Sequence, residues 1–326
     1  MAWTVSAASR DKVQLGATTA IFNAFPFTFR PTANRAAAMT DSTIFFCGIG
    51  GSGMLPLASI VRATGAKVSG SDRSLDAGRV ASKFAYLRSL GIGLFPQDGS
   101  GLEEGMTLVT SAAVEDTVPD VVRARELGLQ HLTRPQFLAK LLNDAQRSVA
   151  VGGTSGKSTV TGMIGWILQA THRQPTVMNG AVMKNFVTPS APFASALVGD
   201  PELFVSEVDE SDGSIALYKP DVAVLTNISL DHKEMAELRS LFGAFLLKAR
   251  KAVLNLDDPE TRAIADVIPA DVRVGYGFDS PGAEFKVGNG NHVRGLFRAR
   301  GYGPWARCAE PNLSSLPVLA PPWGPE

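Results

Sequence analysis

The chain has 326 residues, 45% of them hydrophobic and 19% charged, with 31 Lys and Arg balanced against 31 Asp and Glu. That length favours two globular cores, the null net charge provides no long-range field toward nucleic acid or an acidic membrane, and no apolar run reaches the roughly 18 residues a membrane-spanning helix needs. Cys47 and Cys308 stand far apart in unlike surroundings, which excludes a disulfide framework or paired thiolate metal site and suits a reducing, cytoplasmic setting.

Residues 1–38 carry Arg10, Lys12, Arg30 and Arg35 against the single acid Asp11 and lack a continuous apolar h-region. They read either as a transit-like extension or as sequence ahead of a true start at Met39, and in both cases they stand outside the fold. From Thr43 onward short β-rich runs alternate with helical stretches, the pattern of a parallel sheet covered by helices. Strands are expected at 43–47, 67–70, 92–95 and 107–111, and helices at 54–64, 76–90 and 119–127, the last opening with Pro119 at a favourable first-turn position. A Rossmann-like α/β domain over 39–144 results.

The first strand runs into Gly48-Ile49-Gly50-Gly51-Ser52-Gly53-Met54, with Gly48, Gly50 and Gly53 in G-x-G-x-x-G spacing, and Ser69-Gly70-Ser71-Asp72 ends the second strand. Taken alone this reads as a dinucleotide fingerprint with Asp72 near a ribose, and so as an NAD-dependent oxidoreductase. The spacing is weak evidence, because the same geometry serves the diphosphate of any nucleotide-linked ligand.

After a polar stretch at 143–147 a new strand at 148–151 opens a second α/β unit, 145–288. It continues with a helix at 157–170, strands at 203–206 and 222–226, a helix at 234–250 and a strand at 252–254. Between the first strand and first helix lie Gly153, Thr154, Ser155, Gly156, Lys157, Ser158 and Thr159. Val151 stands where the strict G-x-x-x-x-G-K-[ST] spacing wants glycine, yet the strand–loop–helix context is that of a phosphate cradle: small residues let backbone amides close on phosphates at a helix N-terminus. Lys157, an exposed loop lysine, is expected to neutralise phosphate charge while adding little packing, and the Ser158 hydroxyl to ligate Mg²⁺. Glu207, Asp209, Glu210 and Asp212 crowd six positions at the end of an apolar strand, either a solvated acidic turn or oxygen ligands for a hard cation. Asp231-His232 follows the next strand. Parallel strands deliver their C-terminal ends to one sheet edge, so loop, acidic cluster and Asp-His are expected to converge there.

These stretches in this order, together with Thr226-Asn227-Ile228 and Asp257-Asp258-Pro259, resemble the Mur ligase family, and within it the members that join L-alanine to UDP-N-acetylmuramate. A relative that reattaches recycled murein tripeptide to the same sugar nucleotide shares most of the motifs. The resemblance implies a UDP-sugar-binding first domain, with Gly48, Gly50, Gly51, Ser52, Gly53, Met54, Asp72 and Ser111 at the ligand. It also implies a central domain binding ATP, Lys157 facing the phosphates, Ser158 and Glu207 on one Mg²⁺ and His232 on a second. The implied chemistry is attack of the muramyl carboxylate on the γ-phosphate, giving an acyl phosphate that the amine of L-alanine captures.

The family continues into a third α/β domain. Residues 289–326, with Pro304, Pro311, Pro317, Pro321, Pro322 and Pro325 and no helical or strand period, match nothing in it. The chain is therefore expected to be truncated before that domain, with an irregular tail, which keeps a non-catalytic sugar-nucleotide binder open as an alternative.

Overall fold

The computed structural model describes residues 41–230, 234–278, 280–287 and 293–295. The extension at 1–38 and, apart from 293–295, the tail at 289–326 lie outside the described residues, as do Asp231 and His232.

Strands β1 (Thr43–Cys47), β2 (Lys67–Ser71), β3 (Gly93–Phe95), β4 (Thr107–Thr110) and β5 (Gln130–Thr133) form one parallel sheet in the order β3-β2-β1-β4-β5. The order reverses between β1 and β4, which opens a crevice at their C-terminal ends. Helix α1 (Met54–Ala63) leaves β1 with Met54, Leu55, Leu57, Ala58, Ile60 and Val61 all buried. An apolar surface running nearly round a helix needs cover on both sides, and α1 has it, touching β2 on one flank and the second sheet on the other.

The helix expected at 76–90 is two helices, α2 (Arg73–Asp76) and α3 (Ala81–Ser89). Gly78 at φ +66° and Val80 at φ +52° place left-handed backbone between them, which a continuous right-handed helix does not tolerate. Helix α4 (Pro119–Glu126) begins at the expected proline. Strand β5 and helix α5 (Arg134–Asp144) are absent from the expectations. A reciprocal capping box starts α5, the Thr133 hydroxyl accepting from Gln136 N and the Gln136 side chain accepting from Thr133 N.

Only Ala145 and Gln146 separate α5 from β6 (Arg147–Gly152), an inner strand of the larger sheet. That sheet contains β7 (Pro175–Met178), β8 (Ala196–Leu197), β9 (Asp200–Glu207), β10 (Val222–Leu225), β11 (Lys251–Asn255), β12 (Arg273–Gly277) and β13 (Phe285–Val287) in the order β13-β12-β11-β10-β6-β9-β7-β8, with β14 (Val293–Gly295) beyond β13. Strands β7 and β8 pair antiparallel. The stretch expected to hold no strand thus contributes three residues to a sheet edge, where backbone pairing needs no long alternating pattern. Helices α6 (Lys157–Ala170), α7 (Met235–Leu247) and α8 (Pro259–Ala265) cover the sheet. Val149, Ala150, Val151, Val222, Ala223, Val224 and Leu225 are all buried, the continuous apolar run of strands covered on both faces.

The two sheets share one core. Phe46 and Phe137 from the first half cluster with Ala150, Ala223 and Phe242 from the second. Tyr86 and Phe193 meet at 5.5 Å between ring centres, and the Asn143 amide bridges the halves, donating to Leu217 O at 3.0 Å and accepting from Lys219 N at 2.7 Å. Among the described residues no helix is long and apolar enough to cross a membrane.

Candidate functional site

Two glycine loops lie at C-terminal strand ends, one per sheet. In the first, Gly48 at φ +82° turns the chain out of β1, and its Cα faces Ser111, just past β4, so both sides of the crevice are lined by expected residues. Gly48 N and Ile49 N donate to Ser71 O at 2.9 and 3.0 Å, and Gly51 N to Gly48 O at 3.1 Å. The Asp72 carboxylate is 9% exposed and accepts from Gly50 N at 2.8 Å and Ser74 N at 2.7 Å, so it shapes the loop while capping α2. Gly51 and Ser52 are exposed and Gly53 half-buried, whereas the Met54 side chain, 1% exposed, lies beneath the loop in the core. Cys47, directly before the loop, is no nucleophile: burial, then the Asp120 charge, pushes its thiol up to about 12.

The second loop joins β6 to α6 and is held by the residues that leave β10. Asn227 Oδ1 accepts from Thr154 Oγ1 at 2.8 Å, Ser155 N at 3.1 Å and Ser155 Oγ at 3.1 Å, while Asn227 Nδ2 donates to Ser155 O at 2.9 Å. Thr226 Oγ1 donates to Ser155 O at 2.8 Å, and Thr154 N to Asn227 O at 3.1 Å. Asn255 at the end of β11 fastens the arrangement by donating to Thr226 O at 2.9 Å. Gly153 at φ +135° and Gly156 at φ +82° supply the backbone shapes this closure needs.

Registry places the acidic stretch against this loop. Val151 pairs with Glu207, and Val208 N donates to Val151 O at 2.9 Å, so β9 ends beside the start of the glycine loop. The Ser158 hydroxyl donates to Glu207 Oε2 at 2.6 Å. Gly180 makes room for that carboxylate, since a Cβ there would lie 2.0 Å from Glu207 Oε1. Lys157 departs from the expected exposed lysine: its side chain is 19% exposed, and Nζ donates to Gly153 O at 2.8 Å and to Glu210 Oε2 at 2.9 Å. Asp209 and Asp212 brace the turn, accepting from Ser211 N and Ser214 N. Burial pushes Asp209 upward, but the Ser211 hydrogen bonds and the charges of Lys157 and Arg134 outweigh it and hold the carboxyl below its usual range. The acidic cluster therefore divides: Glu207 and Glu210 are held by Ser158 and Lys157, whereas Asp209 and Asp212 stay exposed and shape the turn.

A cavity of about 290 Å³ opens beside Ser158 and Thr159, walled by Met163, Trp166, Asn179 and Phe186 among others. Asn179 Nδ2 donates to Ser158 O at 3.0 Å, and its Oδ1 is buried without a hydrogen-bond partner. No group of three His, Cys, Asp or Glu able to hold a metal occurs among the described residues. Ser158 and Glu207 nevertheless offer two hard oxygens side by side, which suits Mg²⁺, an ion that takes one or two protein ligands and completes its shell with phosphate oxygens and water. Glu210 was legible in the acidic cluster but its pairing with Lys157 was not, and Asn179 and Arg134 escaped the sequence; only the S/T-x-x-Q cap at Thr133 pointed to the last.

Comparison with known proteins places these loops in context. Residues 43–146 match the model described as Mur ligase family, catalytic domain, and residues 151–295 the Mur ligase middle domain. A UDP-N-acetylmuramate–L-alanine ligase of Clavibacter michiganensis is 39% identical over 250 residues, which is 75% of this chain and 50% of that protein. The enzyme of the same name from Brucella ovis is 35% identical over 254 residues, 76% of this chain and 51% of its own. The crystal structure of UDP-N-acetylmuramate-alanine ligase MurC from Thermotoga maritima superposes with a TM-score of 0.62 at 27% identity, covering 75% of this chain and 54% of that one. The chain spans about half the length of the curated relatives it matches.

Proposed function

Because the chain belongs to the Mur ligase family, we propose that it takes part in peptidoglycan precursor synthesis in the cytoplasm, joining L-alanine to the carboxylate of UDP-N-acetylmuramate at the expense of ATP. The observation that carries this reading is the pair of contacts at the mouth of the second loop, Lys157 with Glu210 and Ser158 with Glu207. They set one cation and two metal-seeking oxygens at the N-terminus of α6, where a triphosphate is favoured. The identity of 35–39% to enzymes named for this reaction supports the substrate pair.

In this reading the sugar nucleotide lies on the first loop and ATP on the second. The substrate carboxylate oxygen bonds to the γ-phosphorus as the bond to the β-phosphate oxygen breaks, leaving ADP and an acyl phosphate. The alanine amine then bonds to the acyl carbon, phosphate departs and the nitrogen gives up a proton. Lys157 exchanges Glu210 for phosphate oxygens and offsets charge on the transferring group. Ser158 and Glu207 would hold Mg²⁺, which when bound neutralises phosphate charge. Asn227 and Thr226 fix the loop backbone at Thr154 and Ser155, with Asn227 taking up those two amides itself, and Asn179 Oδ1 is left to accept a hydrogen bond beside Ser158. The second-metal role for His232 remains a proposal from the resemblance.

Phosphate release should require UDP-N-acetylmuramate, ATP, Mg²⁺ and an amine together, with L-alanine preferred over murein tripeptide. Release that proceeds without the sugar nucleotide, or tripeptide preference, overturns the assignment. Glu207→Gln removes the charge but keeps the size of the metal-seeking group, so half-saturation by Mg²⁺ should rise about tenfold or more while turnover falls. A Mg²⁺ titration superimposable on that of the parent chain would show that Glu207 has no role at the ion.

A further inference from the structure

The first loop uses up most of its own amides. Gly48, Ile49, Gly50, Gly51, Met54 and Leu55 all donate within the fold, which leaves the amides of Ser52 and Gly53 without a partner among the described residues. Two amides at the head of α1 are too few to balance a diphosphate, and the buried Asp72 carboxylate alongside opposes it. Two cations come from elsewhere in the first sheet's half. Lys83 of α3 donates to Gly50 O at 3.0 Å. Arg134, the first residue of α5, lies directly across Gly53: a Cβ on that glycine would come within 3.0 Å of its Nη1 and 3.1 Å of its Cδ.

Gly53 has φ −94° and ψ −19°, a backbone shape open to any residue, so the close approach of the guanidinium, not the turn, is what calls for glycine here. Arg134 itself is half-buried and forms no hydrogen bond or ion pair with another described residue. Its charge reaches Asp209 and Tyr218 of the other half, and Lys157 acts on the same Asp209. A cation without a partner, packed over an exposed phosphate-type loop and facing the seam with the second loop, has the placement of a ligand-binding group.

We propose that Arg134 is the principal cation for the diphosphate of the sugar nucleotide, positioning it across Gly53 so that the rest of the ligand extends toward the second loop. The proposal rests on the sugar-nucleotide reading given above. It adds to the expected loop residues a side chain 81 positions downstream of Gly53, held at its post by the Thr133–Gln136 capping box.

The test compares the affinity of the parent chain, Arg134→Ala and Arg134→Lys for UDP, for uridine and for a non-hydrolysable ATP analogue with Mg²⁺. Loss of a charge-assisted contact should weaken UDP binding about 10- to 100-fold in Arg134→Ala. Uridine and the ATP analogue should be unaffected within about twofold, and Arg134→Lys should recover part of the UDP affinity because it keeps the charge without the planar fork. Equal loss for UDP and uridine would mark a merely structural role and overturn the proposal, as would UDP affinity in Arg134→Ala within twofold of the parent. A parent chain that binds the ATP analogue but not UDP overturns the sugar-nucleotide reading, and this assignment with it.

Discussion

Replacing Lys157 by Ala is expected to lower ATP-dependent turnover by about 10³-fold, the scale of removing a fixed charge from a transferring phosphoryl group, and also to destabilise the protein. The second effect follows from Glu210, which is 4% exposed and loses its cation. A buried carboxylate left without its partner costs about 1–3 kcal/mol, well above what an exposed loop lysine would contribute. The double variant Lys157→Ala with Glu210→Gln separates the two, because a neutral amide no longer needs the lysine. Urea unfolding should show stability recovered, while phosphate release stays low. Turnover in Lys157→Ala within tenfold of the parent would sink the phosphate role; unchanged stability would mean that Glu210 finds another partner.

A large loss of stability from a single methyl group is expected at Gly153. Its φ of +135° suits glycine alone, and an added Cβ would stand 2.1 Å from Thr226 Oγ1 and 3.1 Å from Asn227 O. Backbone strain and overpacking of about 1–3 kcal/mol each should combine to about 3–5 kcal/mol in Gly153→Ala. Gly156→Ala supplies the control, since that residue is also left-handed at φ +82° but has open space where the Cβ would go, and about 1–2 kcal/mol is expected. Equal costs at the two sites, measured by urea unfolding, would assign the whole effect to backbone conformation and none to the contact with Thr226.

The strands that carry the site were legible because they are buried on both faces and read as unbroken apolar runs: 148–151, 203–206 and 222–226 fall within or against β6, β9 and β10. Glycine and lysine between β6 and α6 announced a phosphate loop through local chemistry alone. What escaped reading was set by distance or by brevity. Strands β7, β8, β12 and β13 have two to five residues each, too few for a period to emerge. The break at Gly78–Val80 needed a left-handed Val, which side-chain pattern does not foretell. Helix α5 was readable from Thr133 and Gln136, three residues apart. The pairing of Lys157 with Glu210 was not, because 53 residues separate them and only the β6–β9 register brings them together. Glu207 was found as an acid near the loop, but its bond to Ser158 depends on the same register.

The clamp of Thr226 and Asn227 on the second loop has a thermodynamic consequence. Fixing a loop residue costs about 1–2 kcal/mol of backbone entropy, and here the loss is incurred when the domain folds, since the protein's own hydrogen bonds tie 154 and 155 to the end of β10. A ligand arriving at such a receptor spends its contacts on affinity rather than on ordering the chain. The loop behaves as a mould cast in advance, and recognition there is governed by fit and charge instead of by a wait for the backbone to assemble.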